Sequence, residues 1–153
     1  MILNTTNLQE IRNQIQKIKK SNLEEQIIVK ARDDEFNRKV LEIKGVNILL
    51  APEIHDTIER KDKLKQRDSG LNEFLCKLAA KNNISIAIDL EKLQKLEKKE
   101  KAKTLARIMQ NIQLCKRTNA KIILWPINKY KKQDIMSFFL SLKGSTKQGK
   151  SAR

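Results

Sequence analysis

From Gln66 to Thr118 the chain reads QRDSGLNEFLCKLAAKNNISIAIDLEKLQKLEKKEKAKTLARIMQNIQLCKRT. Leu71, Phe74, Leu75 and Leu78 recur at helical spacing, and a short β-branched run (Ile84, Ile86, Ile88) follows them. A second, longer helical pattern then carries Leu105, Ile108, Met109, Ile112 and Cys115 on one face, at about 100° per residue. Helix, strand, helix in that order is the kernel of a βα repeat and predicts a parallel sheet.

Outward from this kernel the alternation continues. Leu8, Ile11, Ile15 and Ile18 predict a helix over about 7–20, capped by Thr6-Asn7 and ended by Ser21-Asn22. Ile27-Ile28-Val29 reads as a strand, and Asp33 as the N-cap of a helix whose inner face is Phe36, Val40 and Leu41. Val46 to Leu50 is a buried-strand pattern stopped by Pro52, and Glu53 to Gln66 an irregular connection. Beyond the kernel come helix 71–82, strand 84–89, helix 91–118, strand 121–125 and a last helix from Lys132 to Leu142. About four parallel strands with outer helices result, arranged by right-handed crossovers. Four strands do not close an eight-stranded barrel, so the expected fold is an open α/β half-barrel. It forms a single domain over 1–143, sealed by a partner or by helix 8–20. Residues 144–153 offer nothing to bury and read as a disordered basic tail.

A chain of 153 residues suits one domain with a real core, and 39% apolar against 33% charged residues predicts a globular body with a heavily solvated surface. No apolar run is long enough to span a bilayer, and no signal-peptide core opens the chain, so a cytoplasmic setting without a membrane is expected. Cys76 and Cys115 fall on apolar helix faces and read as buried free thiols. Lys plus Arg number 33 against 18 acids, a net +15. From Lys116 onward there are ten basic residues and one acid, Asp134, which concentrates +9 of that charge in the last quarter. An AT-rich genome would raise lysine everywhere, along with the abundant Ile and Asn, but would not empty this region of acids. Such asymmetry is the electrostatic footprint of a phosphate-binding surface.

Autonomous catalysis is not expected, and neither is a bound metal or other cofactor. The single histidine, His55, cannot build a histidine-rich metal cluster or a Ser-His-Asp set. The carboxylates near strand ends (Asp33, Glu53, Asp89) are scattered, and the four glycines form no phosphate loop.

Candidate binding residues come from helix faces and one loop. Ser69 is expected to cap the helix starting at Gly70-Leu71, with Arg67 beside a helix start that presents free N–H groups to an anion. Lys103, Arg107, Gln110 and Arg117 are expected on the outer face of helix 91–118, spaced for a sugar–phosphate backbone, with Lys116 beside them; a merely solvated face would look the same. Leu114 falls on that outer face, where it would cover the last helix or a partner protein. Lys129, Lys131 and Lys132 surround Trp125 and Tyr130, aromatics that can stack on unpaired bases; core or partner contact is the commoner role for such a Trp.

The order helix, strand, basic helix, strand, with Arg67-Asp68-Ser69-Gly70-Leu71-Asn72, Leu105-Ala106-Arg107 and Leu114-Cys115-Lys116-Arg117, resembles the archaeal ribonuclease P protein component 3 family, homologous to the thirty-kilodalton eukaryotic subunit. Ile28-Val29-Lys30, Asp33-Asp34, Asn37-Arg38, Val46 to Leu49 and Pro52-Glu53 also fit, so the resemblance runs from about Gln26 to Gly144. It implies a TIM-barrel-like fold whose first strands are missing here. It also implies a non-catalytic subunit that steadies the catalytic ribonuclease P RNA during 5′ leader removal from precursor tRNA, beside component 2 and the other ribonuclease P proteins. Arg107 and Arg117 lie where the family is basic. Trp125-Pro126-Ile127-Asn128 departs from the family's small residues. Two other readings stay open: a metal-dependent phosphoesterase-like barrel, and a protein-interaction module without RNA contact.

Overall fold

Short apolar runs become strands and amphipathic stretches become helices in the computed structural model, which describes residues 1–54 and 61–152. In chain order these are β1 (Ile2–Leu3), α1 (Leu8–Ser21), β2 (Ile28–Lys30), α2 (Asp34–Leu41), β3 (Ile48–Leu50), α3 (Glu73–Lys81), β4 (Ser85–Asp89), α4 (Leu90–Lys95), α5 (Lys98–Thr118), β5 (Ile122–Trp125), α6 (Lys132–Ser141) and α7 (Thr146–Ser151). Side-chain oxygens start most of the helices. Asn7 accepts from the Gln9 and Glu10 N–H groups, Asp33 from Phe36, Asn72 from Leu75 and Asp89 from Lys92, each satisfying a donor that the helix leaves free.

All five strands form one parallel sheet in the order β1-β2-β3-β4-β5. Ile28 pairs with Ile48, Leu49 with Ile86 and Ala87 with Ile123. Spatial order equals chain order, as in a (βα) barrel, and the sheet stays open. Alternate strand residues take opposite faces. Val29, Leu49, Ile86, Ile88, Ile122 and Leu124 join the large cluster that also holds the buried residues of the helices. Ile28, Ile48, Leu50, Ala87 and Ile123 form a smaller cluster with Ala51, Ile54, Trp125 and Ile127. The helices therefore lie on one side of the sheet, the outer layer of a half-barrel.

Four sequence expectations change. A fifth strand, β1, pairs with β2, two residues being too few for a periodicity to show. The amphipathic N-terminal helix is the crossover from β1 to β2, with Ile11, Ile15 and Ile18 in the outer core; it does not seal an open edge. The single helix expected over 91–118 is broken at Leu96 and Glu97, both extended. With Asp89 closing β4 and capping α4 at once, the chain must turn before α5 can return along the sheet.

The fourth change is the tail. Residues 146–151, expected to be disordered, form α7, held by a capping box between Ser145 and Gln148. Gln148 is buried and donates its amide to the Ile112 carbonyl at 2.9 Å. The Ala152 carbonyl accepts from Leu124 N–H on β5 at 3.4 Å, covering part of an edge strand.

Candidate nucleic-acid interface

Residues 61–72 are too polar to be held by burial alone, and α5 holds them with three polar side chains on adjacent turns. Arg107 makes a two-pronged ion pair with Asp62, Nη2–Oδ2 at 3.0 Å and Nε–Oδ1 at 3.2 Å. Gln110 accepts from the Arg67 N–H and donates to the Arg67 carbonyl, both at 2.8 Å, so its amide pairs with that residue as a neighbouring strand would. It also donates to Ser69 Oγ at 3.0 Å. Asn111, fully buried, donates to the Ser69 carbonyl at 3.1 Å. Burial pushes the Asp62 carboxyl up, but the Arg107 guanidinium and the Asp68 N–H outweigh it and hold Asp62 below the ordinary carboxylate range.

This clasp relocates two predicted residues. Arg107 does not project from an outer face: it is 7% exposed and spends its charge on Asp62. Leu114 is 8% exposed within the main core and leaves no surface for a partner. A helical wheel with only the sheet as neighbour places both wrongly, because α3 and the 61–72 segment cover a second arc of α5. Gln110 is half-buried in the clasp. Ser69 does not cap α3, which begins later at Glu73 with Asn72 as its cap. Its buried hydroxyl serves the clasp, and Gly70 turns the chain with φ +73°.

What the clasp presents outward is Arg67, exposed, on a cleft of ≈290 Å³ that also has Lys61 and Lys63 on its wall, with Asp34, Asp68 and Asn72. Sequence reading missed both lysines by treating residues 53–66 as plain connection. Nothing local marks them, because an acid between two lysines (Lys61-Asp62-Lys63) is also what a plain solvated connection shows.

The remaining predicted residues are scattered. Lys116 and Arg117 are exposed at the end of α5. Lys103 is exposed but pairs with Glu100 at 2.9 Å, and Lys129 pairs with Glu91. Lys131 and Lys132 line an open groove of ≈650 Å³ with Gln133, Met136 and Ser137. Trp125 is half-buried against Ile127 and the smaller cluster, and Tyr130 packs on the main core. Neither ring is a free stacking platform.

Of the carboxylates weighed for chemistry, Asp33 and Asp89 cap helices and Glu53 is buried. Among the described residues no group of three metal-ligating side chains converges, and His55 lies outside them. Cys76 and Cys115 are free and buried. A hydrogen bond to Cys76 and burial push the Cys115 thiol well above the ordinary range, and the same contact lowers Cys76. No helix among the described residues is long and apolar enough to cross a membrane.

No protein-family model matches the chain. Ribonuclease P protein component 3 of Methanococcus vannielii is 31% identical to it over 114 residues, 73% of this chain and 45% of the relative. The chain belongs to the ribonuclease P protein component 3 family. Component 3 of Methanococcus maripaludis is 26% identical over 122 residues, 80% of this chain and 47% of that protein. The chain thus spans about half the length of these component 3 relatives. A chain in the cryo-EM structure of archaeal ribonuclease P with mature tRNA superimposes with a TM-score of 0.75 at 21% identity, over 97% of this chain and 62% of that one. The crystal structure of an uncharacterized protein superimposes with a TM-score of 0.60 at 11% identity, over 94% of this chain and 35% of the other. Both likenesses concern the fold.

Proposed function

We propose that the chain is a non-catalytic protein subunit of ribonuclease P that binds and steadies the catalytic RNA during 5′ leader removal from precursor tRNA. Membership of the component 3 family is the observation that carries this reading. The chemistry on the surface agrees with it. Arg67, Lys116, Arg117, Lys131 and Lys132 are exposed cations, and +15 of net charge favours a polyanion. Phosphate contacts of this kind position a protein on RNA without reading sequence. The cut itself belongs to the RNA in this reading, with ribonuclease P protein component 2 and the other ribonuclease P proteins as partners. Arg107 and Gln110 serve indirectly, by holding the segment that displays Arg67. Of the two expected partner contacts, Leu114 is buried and Trp125 half-buried, so Trp125 is the one still open to a partner.

Reconstitution tests the proposal. Ribonuclease P RNA is assembled with component 2 and the remaining proteins, with and without this chain, and leader removal is followed at limiting magnesium. The chain should raise the rate and should cut nothing by itself. Cleavage of precursor tRNA by the purified polypeptide alone, or no affinity for the RNA at low ionic strength, would overturn the reading.

A further inference from the structure

The last turn of α5, the link into β5 and α7 enclose a cleft of ≈220 Å³. Lys116, Lys121 and Lys147 stand on its walls with Asn119, and the buried Cys115 and Gln148 line its floor. Among the described residues no carboxylate lines it, and none of the three lysines has an ion-pair partner. Lys39, Lys77, Lys103 and Lys129, by contrast, each sit against a glutamate. Three ammonium groups around one concavity repel one another until an anion joins them.

The cleft is built rather than incidental. The Gln148 amide ties α7 to the Ile112 carbonyl, and the Ser145 capping box fixes the start of α7. Gly149 lets α7 approach α6 so closely that a Cβ there would lie 2.8 Å from Met136 Sδ and 3.2 Å from its Cα. Asn119 makes the turn out of α5 with φ +58°. The wall chemistry selects charge over shape, since lysine is a point cation on a flexible stem. Lys150, exposed on α7, adds to the positive charge of that helix.

We propose that this cleft seats a backbone phosphate of RNA. The site rests on the RNA-binding reading above and gives it a second contact point, away from the segment that carries Arg67.

The full-length chain decides it. A Lys116→Gln/Lys121→Gln/Lys147→Gln variant is compared with a charge-matched control, Lys20→Gln/Lys98→Gln/Lys99→Gln, whose lysines are exposed and line no described cleft. Filter binding to ribonuclease P RNA and to a structured RNA of unrelated sequence is measured across a salt series. The cleft variant should bind both RNAs about tenfold more weakly and lower the slope of log K against log salt by about 1, one phosphate contact's share. Inorganic pyrophosphate should raise the melting temperature of the wild type and of the control but not of the cleft variant. Equal losses in the two variants would reduce the cleft to general surface charge and overturn the site. So would intact RNA affinity with loss of a protein partner, which would make it a dock for an acidic protein segment. If the cleft variant loses RNA and the wild type still fails to join reconstituted ribonuclease P, the phosphate site stands and the ribonuclease P reading falls.

Discussion

At the level of single residues, Asp62 and Arg107 show how a charge that looks like a ligand contact becomes an internal strut. Their side chains are 9% and 14% exposed for Arg107 and Asp62 respectively, so removing one partner strands the other in a poorly solvated place. Asp62→Asn should destabilise the protein by about 3 kcal/mol, while Asp62→Leu with Arg107→Met should recover most of that, because an apolar pair leaves no orphaned charge. Urea unfolding of wild type, Asp62→Leu, Arg107→Met and the double variant measures the coupling. The pH dependence has a defined sign. Asp62 is held below its ordinary value when folded, so its contribution is complete above the unfolded value of about 4 and fades as pH falls through the lower folded value. The gap in urea midpoint between wild type and Asp62→Asn should therefore be wide at neutral pH and narrow below about pH 4. A gap that stayed constant would mean that packing, not charge, holds the clasp. None of this was legible in the sequence, where Arg107 and Gln110 simply sit opposite the apolar stripe. The wheel shows which residues avoid the sheet; it does not show that another segment lies over them.

Elements were easier to read wherever burial is one-sided and periodic. The Ile-rich runs at 84–89 and 121–125 and the caps Asn7 and Asp33 fell where expected, because apolar spacing and capping chemistry are local properties. α7 was hidden for the same reason: Thr146 to Ser151 contains no apolar side chain, so no periodicity points to it. Its signal was the spacing of Ser145 and Gln148, a capping box with no hydrophobic run behind it. Two tertiary hydrogen bonds, from Gln148 to α5 and from β5 to Ala152, give this helix its place. Ending the chain after Gly144 would leave both partners unmet and bare the edge of β5. Each unmet buried group costs about 1–3 kcal/mol, and 1 kcal/mol shifts the melting temperature of a protein this size by about 2–4 °C. The truncated chain should melt at least about 5 °C lower and self-associate, since an exposed parallel edge strand is a pairing template. Calorimetry and sedimentation velocity read the two effects. Unchanged melting in a strictly monomeric protein would mean that α7 contributes nothing to the edge.

Across the whole molecule the net +15 sets a balance between attraction in local pairs and repulsion over the surface. Four exposed pairs among the described residues, Arg38–Glu42, Lys39–Glu35, Lys77–Glu73 and Lys103–Glu100, are local i,i+4 or i,i+3 contacts along helices. Each is worth about 0.3–0.5 kcal/mol, so losing all four to screening costs little. The repulsion they leave behind is long-ranged: the Debye length is about 30 Å at 0.01 M salt, comparable to the protein itself, and about 10 Å at 0.1 M. Screening should therefore remove more repulsion than attraction, and added sodium chloride should raise the melting temperature by several degrees. Chloride is the right salt for the test, because sulfate would also strengthen burial by exclusion from the surface. A melting temperature that fell with chloride would show that local pairs dominate and that the cationic surface carries little strain. If it rises, the same repulsion is available to any polyanion. Binding to the folded state alone then stabilises the protein further, in proportion to the logarithm of ligand concentration over its dissociation constant. A structured RNA should accordingly give a larger thermal shift per added charge than chloride does, because it brings its phosphates already arrayed, whereas chloride must be gathered from solution one ion at a time.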